Sequence, residues 1–173
     1  NQYLRHIRLL LPILLLTACS PSGDSPTAQW QHAVEGAYAA DISNDAKLSA
    51  VSSIHHGLSL WDIDKNALRF NWNQEQDNAD NLVLALDIAN NNSHVVTANR
   101  NNFALWNTQT GESEGFWQIR ESSIRDIKVA DNGRHVLIGK GNGTVVHVNV
   151  DNGRRLEFLG HQERVNSIDL MPN

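Results

Sequence analysis

Short segments of this chain alternate apolar and polar residues and then break into polar turns. The clearest is residues 58–64, LSLWDID, where the alternation runs up to the pair Trp61-Asp62 and ends at the turn Asp64-Lys65-Asn66. Alternation with a period of two is the side-chain spacing of a half-buried β-strand, whereas a helix repeats at about 3.6 residues. The pattern therefore predicts a strand that leads directly into a tight turn.

This strand recurs along the chain at nearly constant spacing. Trp61 has a counterpart in Trp106, which lies 45 residues further on, and Trp106 has a counterpart in Val148 after another 42 residues. Each copy is followed by a polar turn and then by a segment that contains a phenylalanine, namely Phe70, Phe116 or Phe158. A strand that recurs at this interval indicates a repeat protein.

Two further strands precede each copy. The first has apolar residues at intervals of three and two, as in Val83, Leu86 and Ile88. The same spacing is found at 124, 127 and 129 and at 165, 168 and 170, with a weaker copy at 37, 40 and 42. A turn rich in Asn, Asp or Gly follows each of the first three copies along the chain, and then a second apolar strand over residues 48–54, 94–98 and 135–138.

Four strands per unit at a period of about 42 residues are typical of the blades of a β-propeller. We therefore predict an all-β fold built from blades of four antiparallel strands. The predicted blades span about 33–75, 76–118 and 119–160, and residues 161–173 supply the first strand of a fourth. Since a closed ring needs at least about four blades, we expect residues 30–173 to form an incomplete propeller.

Several residues of these repeats resemble those of the WD-repeat family. They are Trp61-Asp62, Trp106, the pair Gly160-His161 with Val165 four residues later, and the Asp-Asn-Gly turns. The resemblance covers about residues 27–173 and implies a longer protein of about six to eight blades, of which this chain is an N-terminal fragment. It also implies that residues 27–32, which include Trp30, form an outer strand that completes the last blade of the ring.

In that family a His, a turn Asp, a Ser or Thr and the Trp form a hydrogen-bonded tetrad within a blade. The matching turn positions here hold His55, Arg100 and Asn142, and only Ser53 keeps the hydroxyl. We therefore expect the tetrad to be mostly absent and the blades to rely on their apolar strands.

The first twenty residues do not alternate apolar and polar positions but combine basic residues with one continuous apolar run. Arg5, His6 and Arg8 precede an apolar run over residues 9–16, which is far shorter than the about 20 residues that span a bilayer, so residues 1–19 are predicted to be a signal peptide. Leu-Thr-Ala-Cys at 16–19 resembles the lipobox of bacterial lipoproteins, which implies that Cys19 carries a lipid and becomes the new N-terminus. Ser20 after it implies sorting to the outer membrane, facing the periplasm. Residues 20–29 are small and polar, as in a flexible linker.

The charge of the chain limits its partners. Without Arg5 and Arg8, 12 basic residues face 19 acidic ones, so the net charge after cleavage is about −7 with His neutral. A surface of this sign repels nucleic acid and anionic lipid unless a local basic patch exists, and no Lys/Arg run appears. Cys19 is the only cysteine, so no disulfide is expected within the processed chain.

Candidate chemistry is sparse. The chain has no nucleophile elbow, phosphate-binding glycine loop or His-Glu-x-x-His motif, so we expect no enzyme activity and no cofactor. The neighbouring His55 and His56 are expected in a solvated turn, because adjacent side chains diverge and no His or Cys recurs at metal-ligand spacing. Asp62 and Asp64 are likewise expected to be solvated. No metal site is predicted.

What remains is a binding surface. In propellers the turns between second and third strands lie on one face together with the connections between blades, and binding loops on a rigid scaffold are common. The predicted partner-binding residues on that face are His55, His56, Arg100, Asn101, Asn102 and Asn142, with residues 120–123 and 162–164 beside them.

These observations favour a lipid-anchored cell-envelope scaffold that binds unidentified protein partners without catalysis. An alternative comes from Thr110-Gly111 and Trp117, which resemble the quinoprotein-like propeller repeat. That resemblance implies either an outer-membrane assembly scaffold or a quinone-dependent dehydrogenase with cofactor ligands at the propeller axis.

Overall fold

The computed structural model describes residues 23, 25–33, 36–54, 57–72 and 82–171. Within these ranges the chain forms twelve strands in three separate four-stranded antiparallel sheets. The first sheet contains β1 (Ala37–Ile42), β2 (Leu48–Ser53), β3 (Gly57–Asp62) and β4 (Ala67–Trp72). The second contains β5 (Ala85–Ile88), β6 (His94–Ala98), β7 (Asn102–Asn107) and β8 (Ser113–Gln118). The third contains β9 (Ile124–Val129), β10 (His135–Lys140), β11 (Val145–Asn149) and β12 (Arg155–Phe158).

The sheets confirm the predicted all-β fold of four-stranded antiparallel blades. In each one the strands pair in chain order, and the segment LSLWDID enters the first sheet as its third strand, β3. The first strands of neighbouring sheets contact each other, β1 with β5 and β5 with β9, so the three blades are joined along their inner edges. No helix in the described ranges is long and apolar enough to cross a membrane.

The apolar core lies between blades rather than within them. Strand β7 shows how the alternation achieves this, because Phe103 and Leu105 pack into the core shared with the third sheet, while Ala104 and Trp106 pack into the core shared with the first. Phe103 and Leu105 are fully buried, and burying a side chain of this size stabilises the fold by about 1.5–3 kcal/mol. Each blade is therefore held largely by its neighbours.

Carboxylates on the innermost strands join successive blades. Asp41 accepts a hydrogen bond from the Ile88 N–H of the next blade, at 2.9 Å, and Asp87 accepts one from the Val129 N–H at the same distance. Asp126 likewise accepts the Ile168 N–H, at 2.9 Å. The sequence pattern identified the apolar residues of these strands but not the acidic residues that link them.

The segments before the first blade and after the third differ from the sequence prediction. Of residues 161–173, predicted to supply the first strand of a fourth blade, the described residues 161–171 form no strand. Val165 is nevertheless buried, and its N–H donates to the Lys140 carbonyl oxygen at 3.1 Å. Residues 27–32, predicted to be an outer strand, also form no strand.

Residues 30–32 still cover the first blade as an outer strand would. The His32 ring stacks on Trp61 with centroids 4.2 Å apart, and Trp30 stacks beyond it at 6.5 Å. Across the boundary to the second blade, Trp72 of β4 stacks on Trp106 of β7 at 5.3 Å, with Phe70 of β4 beyond it at 5.7 Å. Trp30 and His32 thus stack over Trp61 in the way that the two aromatic residues of β4 stack over Trp106.

Candidate partner-binding face

The connection between the second and third blades binds two inter-strand turns at once. The Ile119 N–H donates to the Asn101 carbonyl at 2.7 Å, and the Ile124 N–H donates to the Arg100 carbonyl at 2.7 Å. The Gly141 N–H in turn donates to the Ser123 carbonyl at 2.9 Å. Together with the bond from the Val165 N–H to the Lys140 carbonyl oxygen, these bonds make one continuous surface. We call it the connection face and define it as residues 99–102, 118–125, 140–144 and 160–165.

A polar groove of about 400 Å³ opens on the connection face beside the second blade. Its lining brings together three of the predicted residues, the exposed Arg100 and Asn101 and the half-buried Asn102, with Leu84 and Gln118 also contributing. The turn is rigid, because the Asn99 carboxamide oxygen accepts the N–H groups of both Asn101 and Asn102 at 2.9 Å.

The other predicted residues of this face are separate from the groove. Asn142 is exposed on the turn of the third blade, where its side-chain oxygen accepts the Thr144 N–H at 3.2 Å. His55 and His56 lie outside the described residues, as does Cys19 with the whole predicted signal peptide.

The structural motif residues correct one expectation. Trp106 donates from Nε1 to the Thr97 hydroxyl at 3.0 Å in a buried contact, so the second blade keeps the hydroxyl-to-tryptophan bond that we expected to be lost. In the first blade Trp61 donates instead to Ser59, at 2.8 Å.

The hydroxyl group comes from opposite strands in the two blades. Val51 faces Ser59 in the first sheet, whereas Thr97 faces Ala104 in the second. The apolar and hydroxyl-bearing residues have exchanged places across the strand pair, so each indole N–H still meets a partner. Comparing positions along one strand could not reveal this, but comparing paired positions would have.

The remaining motif residues act in turns. Both Asp62 oxygens accept hydrogen bonds from Lys65, one from its N–H and one from its ammonium group, at 3.1 Å each, and these bonds lower the pKa of Asp62. Gly160 and His161 are exposed, and the His161 carbonyl oxygen would clash with a side chain at Gly143, whose φ is +85°. The Gly-His pair thus runs as backbone across the turn of the third blade.

A second cleft, of about 520 Å³, lies along the innermost strands. It is lined by Asp41, Asp126 and Lys128, among others, and Lys128 forms an ion pair with Asp87 at 2.8 Å. No group of three His, Cys, Asp or Glu side chains in the described ranges is arranged to hold a metal.

The Asp87–Lys128 pair shows opposing electrostatic effects. Burial raises the pKa of Asp87, although hydrogen bonds from Lys128 and the Val129 N–H act against that rise. Burial also acts to lower the pKa of Lys128, but its bond to Asp87 and the nearby carboxylates raise it overall. Because Asp87 accepts two hydrogen bonds, the geometry favours an ionised pair. The pair joins the second and third blades.

The His135 and His147 rings form another close pair, with Nδ1 of His135 and Nε2 of His147 2.9 Å apart. Burial and then the charge of His135 lower the pKa of His147. A hydrogen bond between the two rings needs one of these nitrogens to donate and the other to accept.

Thr110-Gly111, which suggested the quinoprotein-like alternative, serves packing between blades. Gly111 has φ +75°, and a Cβ there would lie 2.5 Å from the Phe70 ring of the preceding blade. Its carbonyl oxygen also accepts the Trp72 indole N–H at 2.9 Å. The turn is where the outer strand of one blade meets the next.

Comparisons with known proteins agree with this topology. No family model matches the chain. It is 26% identical over 143 residues to the WD repeat-containing protein SL1-17 of Schistosoma mansoni, a match that covers 80% of this chain and 45% of that protein. It resembles the crystal structure of the RRP9 WD40 repeats with a TM-score of 0.64 and 10% identity, over 79% of this chain and 42% of that one. The chain thus spans less than half of either protein, and it has the blade fold of WD40-repeat propellers.

Proposed function

We propose that the protein is a WD-repeat scaffold of the cell envelope that binds protein partners through the connection face and has no catalytic activity of its own. The observation that carries the proposal is the connection face itself, where three backbone hydrogen bonds fix two turns and the segment between them into one polar, exposed surface. Rigid loops on a repeat scaffold are suited to recognition, because little conformational freedom is lost on binding.

The anchor is proposed from the sequence. Leu-Thr-Ala-Cys ends the apolar run at Cys19, and Ser20 follows it, which supports a lipid on Cys19 and retention at the outer membrane, facing the periplasm. A lipid chain would hold the propeller beside envelope partners and raise their effective concentration.

The experiment is affinity capture of the full chain from detergent-solubilised envelope, beside a Cys19→Ala variant, with mass spectrometry of the captured chain and its companions. We expect an N-terminal lipid on the unaltered chain only, with the same proteins captured in reproducible amounts. Lysates from cells without the tagged chain provide the background.

Two results would contradict the proposal. Capture of no protein above background would remove the scaffold function, and a bound quinone with dehydrogenase turnover would favour the quinoprotein-like alternative. An unmodified Cys19 with partners still captured would remove the anchor and leave the scaffold.

A further inference from the structure

The connection face is basic although the chain is acidic. Its residues include five cations and two carboxylates, Glu121 and Glu163, whereas the chain has a formal net charge of −5. The cations come from four separate segments, so no basic run exists in the sequence and only the fold brings them together. They are Arg100, Arg120, Arg125, Lys140 and Arg164.

Hydrogen bonds show that these cations share one surface. Arg100 and Arg120 lie on segments joined by the Ile119 and Ile124 N–H bonds. Arg125 reaches the next turn, since its Nε lies 3.4 Å from where a Cβ on Gly141 would be. Arg164 precedes Val165, which donates to the Lys140 carbonyl.

None of these five cations forms an ion pair with a carboxylate in the described part of the chain. Lys140 is only 3% exposed, and leaving a buried ammonium without a counter-charge is costly. An anion that arrived at this face would meet the four arginines, which are exposed and have no carboxylate partner among the described residues.

The opposite face, formed by the turns at 43–47, 62–66, 107–112, 131–134 and 149–154, is arranged differently. There Lys47 pairs with Asp45, Lys65 with Asp62, and Arg134 reaches Asp151, at 3.8, 3.1 and 2.6 Å. Arg154 is the exposed arginine on that side without an ion pair among the described residues, which makes it a matched control.

We propose that the connection face binds an acidic protein segment, with its carboxylates on Arg100, Arg120, Arg125 and Arg164 and its backbone along the amide-lined groove. This inference rests on the proposed function and names the chemistry of the partner. Arginine forks match carboxylates in two-point hydrogen bonds, and the side-chain amide of the exposed Asn101 suits the peptide groups of an extended chain.

A protein segment fits this surface better than a nucleic acid. Two carboxylates stand among the cations, and His161 is the only aromatic ring within the connection face, so bases would have little to stack on. The strongly acidic remainder of the chain would also repel a long phosphate backbone.

The test is fluorescence anisotropy of the full chain with a labelled ten-residue peptide of alternating Glu and Ser, beside the same peptide with Gln in place of Glu. Titrations are run at low salt and at about 0.15 M, where exposed charges are screened beyond about 8 Å. We expect the Glu peptide to bind at least about tenfold more tightly than the Gln peptide, and less tightly as salt rises.

Variants locate the binding. Arg100→Gln with Arg120→Gln should weaken Glu-peptide binding by about tenfold, whereas Arg154→Gln should change it less than about twofold. Arg164→Gln, on a separate segment, provides a second variant should the double change perturb folding, and equal thermal unfolding midpoints control for that.

Several results would overturn the inference. The first is equal binding of the Glu and Gln peptides. The second is an equal loss of Glu-peptide affinity in the connection-face variants and in Arg154→Gln. The third is a single-stranded oligonucleotide that binds more tightly than the Glu peptide and whose binding is abolished by the connection-face variants. If the double variant still captures the envelope partners in full, the acidic-segment inference fails while the scaffold stands. If the unaltered chain captures no partner, the proposed function itself fails.

Discussion

At the residue scale, the tryptophans of the repeat depend on a hydroxyl partner. Trp106 is buried, and its indole N–H has Thr97 as acceptor, whereas Trp61 is half-buried and uses Ser59. A buried donor left without an acceptor costs about 1–3 kcal/mol, while an exposed one can turn to water. The hydrogen bond from the indole N–H to a hydroxyl is therefore buried in the second blade and part-buried in the first.

We expect Thr97→Val to lower the free energy of unfolding by about 1–3 kcal/mol, because it keeps the side-chain shape and removes the acceptor from Trp106. Ser59→Ala should cost less than about 1 kcal/mol, since the bond between Ser59 and Trp61 is only part-buried. Chemical denaturation of the full chain measures both. Equal costs at the two sites would contradict the role of burial.

Asp45, in a turn of the first blade, makes the free energy of unfolding depend on pH. Hydrogen bonds from Asn92 of the next blade, from Ser43 and from the Lys47 N–H lower the pKa of Asp45 from 3.8 to about 2. Since the pKa of the folded state is depressed, the stabilisation is present above pH 3.8 and is lost as the pH falls toward 2.

The corresponding prediction compares unfolding of the unaltered chain with Asp45→Asn at a series of pH values. The unaltered chain should be the more stable near neutral pH, and the difference should shrink between about pH 4 and pH 2. Asp64→Asn, in an exposed turn of the same blade, serves as the control. A difference that does not change with pH would show that Asp45 is not held as a carboxylate.

At the element scale, the unit of stability is the contact between blades. Successive side chains of β7 enter two different cores, and the turn after it packs against the outer strand of the preceding blade. Gly111 and Gly153 occupy the same place in two successive blades, with φ of +75° and +69°. Only Gly111 has a neighbour, Phe70, within reach of an added side chain.

Alanine at these two glycines separates backbone strain from packing. Gly153→Ala should cost about 1 kcal/mol, from the left-handed backbone alone. Gly111→Ala should cost about 1–3 kcal/mol more, because its Cβ would meet the Phe70 ring at 2.5 Å. Thermal or chemical unfolding of both variants tests this, and equal costs would show that the blades do not meet tightly at this turn.

The inner strands provide a further prediction. Asp87→Asn keeps the side-chain shape but removes the charge opposite Lys128, which leaves a partly buried ammonium unpaired. We expect a loss of about 1–3 kcal/mol in the free energy of unfolding, and a smaller loss in the double variant Asp87→Asn, Lys128→Met. Additive losses in the double variant would argue that the two side chains do not interact.

At the scale of the whole molecule, the sequence predicted the blades well because apolar alternation is a property of single strands. The sequence pattern identified the third strand of each blade, which is β3, β7 or β11, and the turn that follows it. It missed the hydroxyl of Thr97, because the exchange with Ser59 is visible only across paired strands. It also missed the role of Asp87, whose partners are 41 and 42 residues away.

The candidate site was predicted in outline only. The placement of inter-strand turns on one face follows from the repeat, so Arg100, Asn101 and Asn102 could be chosen from the sequence. The basic character of that face could not, since Arg100, Arg120 and Arg164 are dispersed in the chain and come together only through the hydrogen bonds of the connections. The composition of the whole chain, with a formal net charge of −5, predicted an acidic surface instead.

The most direct measurement is photo-crosslinking in the intact cell envelope, with a photoreactive amino acid at Asn101 on the connection face or at Gln109 on the opposite face. Both residues are exposed, so access to solvent does not distinguish them. We predict discrete protein adducts from Asn101 and none above background from Gln109. Adducts from Gln109 alone, or from neither position, would contradict the account of this chain as a scaffold that binds through its connection face.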